Sequence, residues 1–425
     1  MIRLPDRFIY LAGTELWERF ALHGIKSLLT LYLVHQILDR SAPDVWGLAK
    51  LRDGLEGLWG PLSASAFASQ IYGFYAALTY LVLPLGGAIG DGRLGRRAAV
   101  ILGACCIALG GACLTDQALL LPALIALILG SGLLKANLAA QVGELFQTDD
   151  TRRGKAFAAY LAFLNIGVVL GPLVCGWLAQ SCGWRYAFAV AGLGMMLGLA
   201  TYLRVSGTTG TEPTRERTDI ASGDVPSLTY VALVIFIVVL CFCAYEQVTN
   251  LFLVWISNNI RLDVGGFHVP PAWFAAADGV FTIAMVMVTT RMGCFTRWSE
   301  ADRLALGSLA LVCGYGGLSI ATWLELSSIA VPLAVLAVLD LGIVLVWPAG
   351  LAIVTAAAPK GRAGATVGIF YLHGFFANLV VGTMGVFYDR MAIPLFWALH
   401  AGIAVIGLML ALLICVPIKR SVQAR

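Results

Sequence analysis

Charge is scarce in this sequence. Only 12% of its 425 residues are Asp, Glu, Lys or Arg, and 60% are hydrophobic, where soluble chains hold about 25% charged and about 45–50% apolar residues. That shortage excludes a soluble globular protein. Long polar segments are nearly absent too, and almost nothing is left over for an appended soluble domain. The one exception, "VSGTTGTEPTRERTDIASGDVP" at 205–226, is 22 residues rich in Gly, Thr and charge and reads as a flexible linker. No metal-ligand spacing and no nucleophile motif is found, so neither an enzyme nor a metal or other cofactor is expected. The ten cysteines lie in or beside apolar stretches and read as small packing residues. The start "MIRLPDRF" is polar, and the apolar stretch after it is too long and too charged for the h-region of a cleavable signal peptide.

What is abundant is apolar sequence in runs long enough to cross a bilayer, which takes about 20 residues of helix. Twelve such runs are expected, at roughly 8–38, 64–90, 98–115, 118–146, 153–180, 184–204, 228–260, 270–297, 301–323, 328–357, 361–388 and 393–417. Their length excludes a β-barrel, whose strands are short and alternating. Six runs precede the linker and six follow, which gives an all-α membrane protein with an N-terminal six-helix bundle at 1–204, a cytoplasmic linker at 205–226 and a C-terminal six-helix bundle at 227–425. With both termini placed inside, nineteen of the 28 Lys and Arg fall in inner segments and six in outer loops. The positive-inside rule therefore puts both termini in the cytoplasm. The net charge of +4 reflects that topology, and a nucleic-acid partner has no support.

The first span, "GTELWERFALHGIKSLLTLYLV" at 13–34, contradicts its own apolarity with Glu15, Glu18, Arg19 and Lys26. A charge at the centre of a span costs a few kcal/mol at least, about 2.5–3.5 on insertion scales, so such groups face an interior and pair there. Glu15 and Arg19, four apart, share a helix face, and Lys26 lies two turns beyond Arg19. Candidate partners sit in other spans: Lys135 and Asn137 in the fourth, Asn165 in the fifth, Glu246 and Gln247 in the seventh, Asp278 in the eighth and Asp340 in the tenth. His373, in the eleventh span, is read equally well as lining a cavity or as packing. His35, His268 and His400 are expected near span ends at the interface, and Asp116 and Glu144 as solvated helix ends.

The loop after the second span, "GGAIGDGRLGRRAAV", carries Asp91, Gly95, Arg96 and Arg97 and resembles the G-x-x-x-D-x-x-x-G-R-R/K signature of the major facilitator superfamily. With twelve spans and a central linker, the resemblance implies that superfamily's fold. More narrowly, "ELWERFALHGIKSLLTLYL" resembles the E-x-x-E-R-F-x-Y-Y-G signature of the proton-dependent oligopeptide transporter family. "SGLLKANLAAQVGELF" and "FLNIGVVLGPLVCGWLAQSCGWRYAF" are similar to the same family, as are, more loosely, "YEQVTNLFL", "VPPAWFAAADGV", "VLVWPAGLAIVTAAAP" and "GIFYLHGFFANLVVG". The likeness runs from about residue 10 to 390.

That resemblance implies roles. Glu15 and Glu18 take part in proton coupling, Arg19 and Lys135 meet a substrate carboxylate or pair with those glutamates, and Lys26 pairs with Glu246 as an outer gate. Asn165 matches a polar ligand of the peptide backbone. The chain also departs from the family: Leu22 and His23 replace paired tyrosines, the acid of helix 10 falls on Ile343 with Asp340 three residues earlier, Asp278 stands where Asn is usual, and Phe370 replaces a tryptophan. The coupling side is thus kept and the recognition side altered. The expected function is a proton symporter importing di- and tripeptides or peptide-like, carboxylate-bearing metabolites. The alternative is a facilitator carrier, siderophore-type or an exporter of drugs or metabolites, that kept the inherited charges. Its expected partners are a small-molecule substrate, protons and the lipid of a bacterial inner membrane.

Overall fold

A computed structural model of the chain describes residues 6–38, 45–145, 153–205, 228–357 and 363–423. From residue 206 onward the expected linker lies outside them. The described residues form a succession of helices: α1 (Asp6–Tyr32), α2 (Leu48–Trp59), α3 (Ala64–Asp91), α4 (Arg96–Cys113), α5 (Leu120–Glu144), α6 (Arg153–Ser181), α7 (Trp184–Leu203), α8 (Leu228–Tyr245), α9 (Leu251–Asn259), α10 (Trp273–Arg291), α11 (Cys294–Arg297), α12 (Glu300–Trp323), α13 (Ala330–Ala356), α14 (Ala363–Met384) and α15 (Ile393–Gln423). Eleven helical segments among the described residues are long and apolar enough to cross a membrane. The twelfth span is α1. Its 27 residues make a helix about 40 Å long at about 1.5 Å per residue, and its six charged residues are what set it apart by composition.

Two compact units are formed. One comprises Met1–Ala64, Leu78–Arg215 and His268–Gly279; the other comprises Ser65–Ala77, Glu216–Phe267 and Val280–Arg425. Each unit therefore takes in a piece of helix from beyond the central linker: the start of α10 in the first, the start of α3 in the second.

In the first unit α1 packs against α6 and α7, and α4 against α5 and α7. The α1–α6 seam is written in "GVVLGPLVC", where Gly167, Gly171 and Cys175 recur every four residues. A Cβ on Gly167 would stand 2.8 Å from that of Arg19, and one on Gly171 would stand 2.9 Å from the backbone nitrogen of Gly24. Only glycine lets the two backbones meet, the close approach that favours association between helices in lipid. Cys175 completes the seam as a small apolar residue, and it is one of nine cysteines that are free thiols.

In the second unit α12 packs against α13 and α15, and α8 against α13, α14 and α15. The seventh span is not one helix. It breaks after Tyr245 into a single 3-10 turn, Glu246–Thr249, and resumes as α9. Asn250, at φ −114° and ψ −114°, interrupts the helical path. Asn is suited to this because its side chain offers hydrogen bonds that compete with the helix ladder.

Two elements lie in connections where the sequence reading expected none. Helix α2 joins the first two spans, and a two-stranded hairpin, Asp263–Val264 with Phe267–His268, follows the seventh. Gly265 and Gly266, both at positive φ, supply the turn the hairpin needs. His35 and His268 are exposed, as expected. His400 is not: it is fully buried, because the start of α15 is covered by aromatic rings of α12 and of α15 itself. Its assignment to the interface is corrected.

Candidate functional site

Four of the expected residues converge in the first unit. Arg19 reaches back one turn to Glu15, 2.8 Å away, and lies 3.4 Å from Glu18. Lys135 comes from α5, its Nζ 3.6 Å from Oε1 of Glu18. Both carboxylates are enclosed, with 2% of the Glu15 side chain exposed and none of Glu18, whereas Arg19 and Lys135 each keep 20% exposed. Two anions and two cations thus form a neutral cluster whose acids are sealed in and whose bases are reachable.

The two acids are held differently. Glu15 is gripped by Arg19, whose Nε donates to Oε1 at 2.9 Å, and the Tyr160 phenol lies within electrostatic reach of it. Glu18 faces its cations at 3.4 and 3.6 Å, beyond the 2.7–2.9 Å typical of a charge-assisted hydrogen bond, and neither of its oxygens accepts a hydrogen bond. Glu15 is therefore the fixed carboxylate and Glu18 the loosely held one.

Sequence reasoning missed Tyr160, but a signal was there. It lies two turns before Gly167 on the same face of α6, so the seam that brings Gly167 onto α1 also brings the phenol to Glu15. The imidazole of His23 lies within electrostatic reach of Arg19, Lys26 and Lys135, so it shares the cationic side of the cluster. Asn165 donates its amide hydrogen to the Leu161 carbonyl of its own helix at 2.7 Å, and Asp278 is half-buried in α10. Asn137 is fully buried and bridges α5 to α3 by donating to the Gly86 carbonyl at 2.8 Å, a packing role.

The second unit gathers another set. Asp340 is fully buried in α13, and its Oδ1 accepts from the Thr282 hydroxyl of α10 at 2.7 Å and from the Tyr245 hydroxyl of α8 at 3.2 Å. Ile343, where the family acid is expected, is buried beside it in sequence. Glu246 is buried and interacts with the imidazole of His373 from α14. Phe370 is enclosed, its ring packed edge-on to Trp347 with centroids 6.3 Å apart. His373 lies against Phe370 and Phe242, at 4.8 and 4.3 Å.

The loop between α3 and α4 forms a compact electrostatic knot. Arg96 pairs with Asp91 at 2.8 Å and with Glu144 at the end of α5, so Glu144 is a partner in the motif as well as a partly solvated group. Arg97 donates to the Val205 carbonyl at 3.2 Å. Gly95, at φ +75°, takes the left-handed region that a side chain disfavours. Asp116 accepts from the Ala118 amide and caps a short turn.

Comparison with known proteins finds relatives of the chain as a whole. The model of the Major Facilitator Superfamily matches residues 55–382. A peptide transporter of Yersinia enterocolitica subsp. palearctica is 24% identical over 96% of this chain and 93% of its own length. A di-/tripeptide transporter of Lactococcus lactis subsp. lactis is 31% identical over 64% of this chain and about half, 52%, of its own. Among solved structures, a peptide transporter POT in complex with alafosfalin superposes at TM-score 0.82 with 22% identity, covering 98% of this chain and 95% of that one. A POT family transporter in complex with 5-aminolevulinic acid gives TM-score 0.80 with 19% identity, covering 97% and 96%.

Proposed function

Because this chain belongs to the Major Facilitator Superfamily, and is a membrane transporter rather than an enzyme, we propose that it is a proton-coupled symporter importing di- and tripeptides or peptide-like molecules bearing a carboxylate. One observation carries the reading: a sealed, loosely held acid, Glu18, sits 3.6 Å from a partly exposed cation, Lys135. A substrate carboxylate arriving at Lys135 and Arg19 draws their charge away from Glu18. Glu18 is then an uncompensated buried anion, which is expensive, and taking up a proton removes the charge. Release of the substrate restores the cations and expels the proton. Substrate and proton thus move together.

Glu15, paired with Arg19 at 2.8 Å, keeps Arg19 in place through the cycle. His23 lends a further polar group on the cationic side. Lys26 and Glu246 are assigned to closure of the outer face, on the family's pattern. Asn165, Asp278, Asp340 and Phe370 are assigned to the substrate side. The first two support this by being half-exposed; Asp340 and Phe370 are held within the second unit by Tyr245, Thr282 and Trp347. Residues Asp91, Gly95, Arg96 and Arg97 brace the loop between α3 and α4. The relatives' names, peptide transporter and di-/tripeptide transporter, support a peptide substrate and do not favour the siderophore-type or exporter alternative. The distribution of Lys and Arg supports cytoplasmic termini, and the bacterial relatives support the inner membrane.

The test is uptake of radiolabelled di- and tripeptides by the purified protein in liposomes, with and without an inward proton gradient. Accumulation above the outside concentration, only with the gradient, is expected. Uptake indifferent to the gradient, or none for any peptide, overturns the reading.

A further inference from the structure

His400 has no part in the mechanism above, yet it is one of the most enclosed polar residues of the second unit. It stacks on Tyr315 with centroids 5.3 Å apart and contacts Phe396 and Trp397 at 4.6 and 5.6 Å. Its two nitrogens have different neighbours. Nδ1 lies 2.8 Å from the carbonyl oxygen of Phe396, and Nε2 lies 3.1 Å from Nε2 of Gln247. A carbonyl can only accept and an amide nitrogen can only donate, so one neutral tautomer satisfies both, with the hydrogen on Nδ1 and Nε2 accepting.

The orientation of Gln247 rests on more than the ring. Its Oε1 accepts from Nδ2 of Asn250 at 2.7 Å, and the same Nδ2 donates to Oγ of Ser69 at 2.7 Å. Turning the Gln247 amide over would set its NH2 against that of Asn250. Turning Asn250 as well would let the Ser69 hydroxyl donate to its carbonyl oxygen, but it would leave the Gln247 carbonyl facing the bare Nε2 of His400, acceptor against acceptor. The chain His400, Gln247, Asn250, Ser69 therefore has one consistent sense, and its fixed end is the imidazole. All four residues are buried, where a donor or acceptor left unmet loses its water with nothing in return.

The middle of this chain is the broken turn of the seventh span. Gln247 follows Glu246 directly, Asn250 is the residue where the helix path fails, and Thr249 shares a hydrogen bond with Tyr72 of α3. We propose that His400 is a positioning residue: a fixed hydrogen-bond acceptor that sets the amides of Gln247 and Asn250 and thereby holds the turn bearing Glu246 against the Ser69–Tyr72 stretch of α3. Its consequence for transport rests on the reading of Glu246 as a coupling residue; the hydrogen-bond assignment does not.

Two measurements on the full-length protein test this. The first uses protein with 15N-labelled histidine, the His400 signals being those lost in His400→Gln. A neutral ring protonated at Nδ1 with a bare Nε2 is expected, and a ring protonated at Nε2 overturns the proposal whatever the substrate proves to be. The second compares gradient-driven peptide uptake in His400→Gln, which keeps an acceptor, and His400→Phe, which keeps only the ring. Loss of one buried hydrogen bond of about 1–1.5 kcal/mol corresponds to a roughly tenfold lower maximal rate for His400→Phe, with KM unchanged, while His400→Gln stays within about threefold of the parent. Equal rates for the two variants, whether both normal or both impaired, overturn the positioning role.

Discussion

Removing Lys135 is expected to destabilise the protein, and removing Glu18 as well is expected to give much of that stability back. With Lys135 present, the cluster of Glu15, Glu18, Arg19 and Lys135 sums to zero charge. Lys135→Met leaves it at −1, Glu18→Gln leaves it at +1, and the double variant returns to zero with the 2.8 Å Arg19–Glu15 pair intact. At 3.6 Å two unit charges attract by about 4.6 kcal/mol at an effective dielectric constant of about 20. The 20% exposure of Lys135 lowers that figure, and the double variant should show a coupling of about 2–4 kcal/mol, in line with the cost of breaking an enclosed pair. The assay is a double-mutant cycle on unfolding in detergent, four proteins under one condition. Additive losses, with coupling below about 0.5 kcal/mol, would refute the claim that these two groups compensate one another.

Other consequences are local. Gly171→Val should push α1 from α6, since a Cβ there meets the Gly24 nitrogen at 2.9 Å, whereas Gly316→Ala meets nothing within 4 Å and serves as control; thermal unfolding should drop by several degrees for the first only, at roughly 1–3 kcal/mol for overpacking. Asp340→Asn keeps an acceptor for Thr282 and Tyr245 and should be tolerated, while Asp340→Leu strands both hydroxyls at about 1–3 kcal/mol, visible in the same melts. On α2, Arg52 and the Leu62 amide hold the Glu56 carboxyl below its usual range. A depressed acid stabilises the folded state above its unfolded value and loses that effect as pH falls through its folded one. Arg52→Ala should therefore move the Glu56 titration upward in an NMR pH series.

The spans and the ionic cluster were legible in the sequence for the same physical reason. Hydrocarbon makes apolar runs obligatory, and so makes Glu15, Glu18, Arg19 and Lys135 conspicuous as exceptions that must meet. Which acid takes which base was not legible. Glu15 and Arg19 are one turn apart, but the choice of Glu18 by Lys135 depends on how α5 lies against α1. Tyr160 was overlooked because a lone tyrosine in an apolar run carries no periodic signal of its own, though its register with Gly167 placed it. The hydroxyls on Asp340 come from two other helices, and nothing near residue 340 announces them. His400 reads as interfacial because it lies near a span end, but rings from α12 as well as its own helix enclose it. The break after Tyr245 is a property of Asn250 and its partners Gln247, Ser69 and His400; the polar residues Glu246, Gln247, Thr249 and Asn250 mark the place in the sequence, but not that the helix breaks there.

The central claim is that Glu18 carries the transported proton, and Glu18→Gln tests it most directly in proteoliposomes. Two assays on the same vesicles are needed: peptide exchange with no gradient, and peptide accumulation driven by an inward proton gradient. Exchange retained and accumulation abolished is the predicted split. Accumulation by Glu18→Gln at the parent's level would contradict the account.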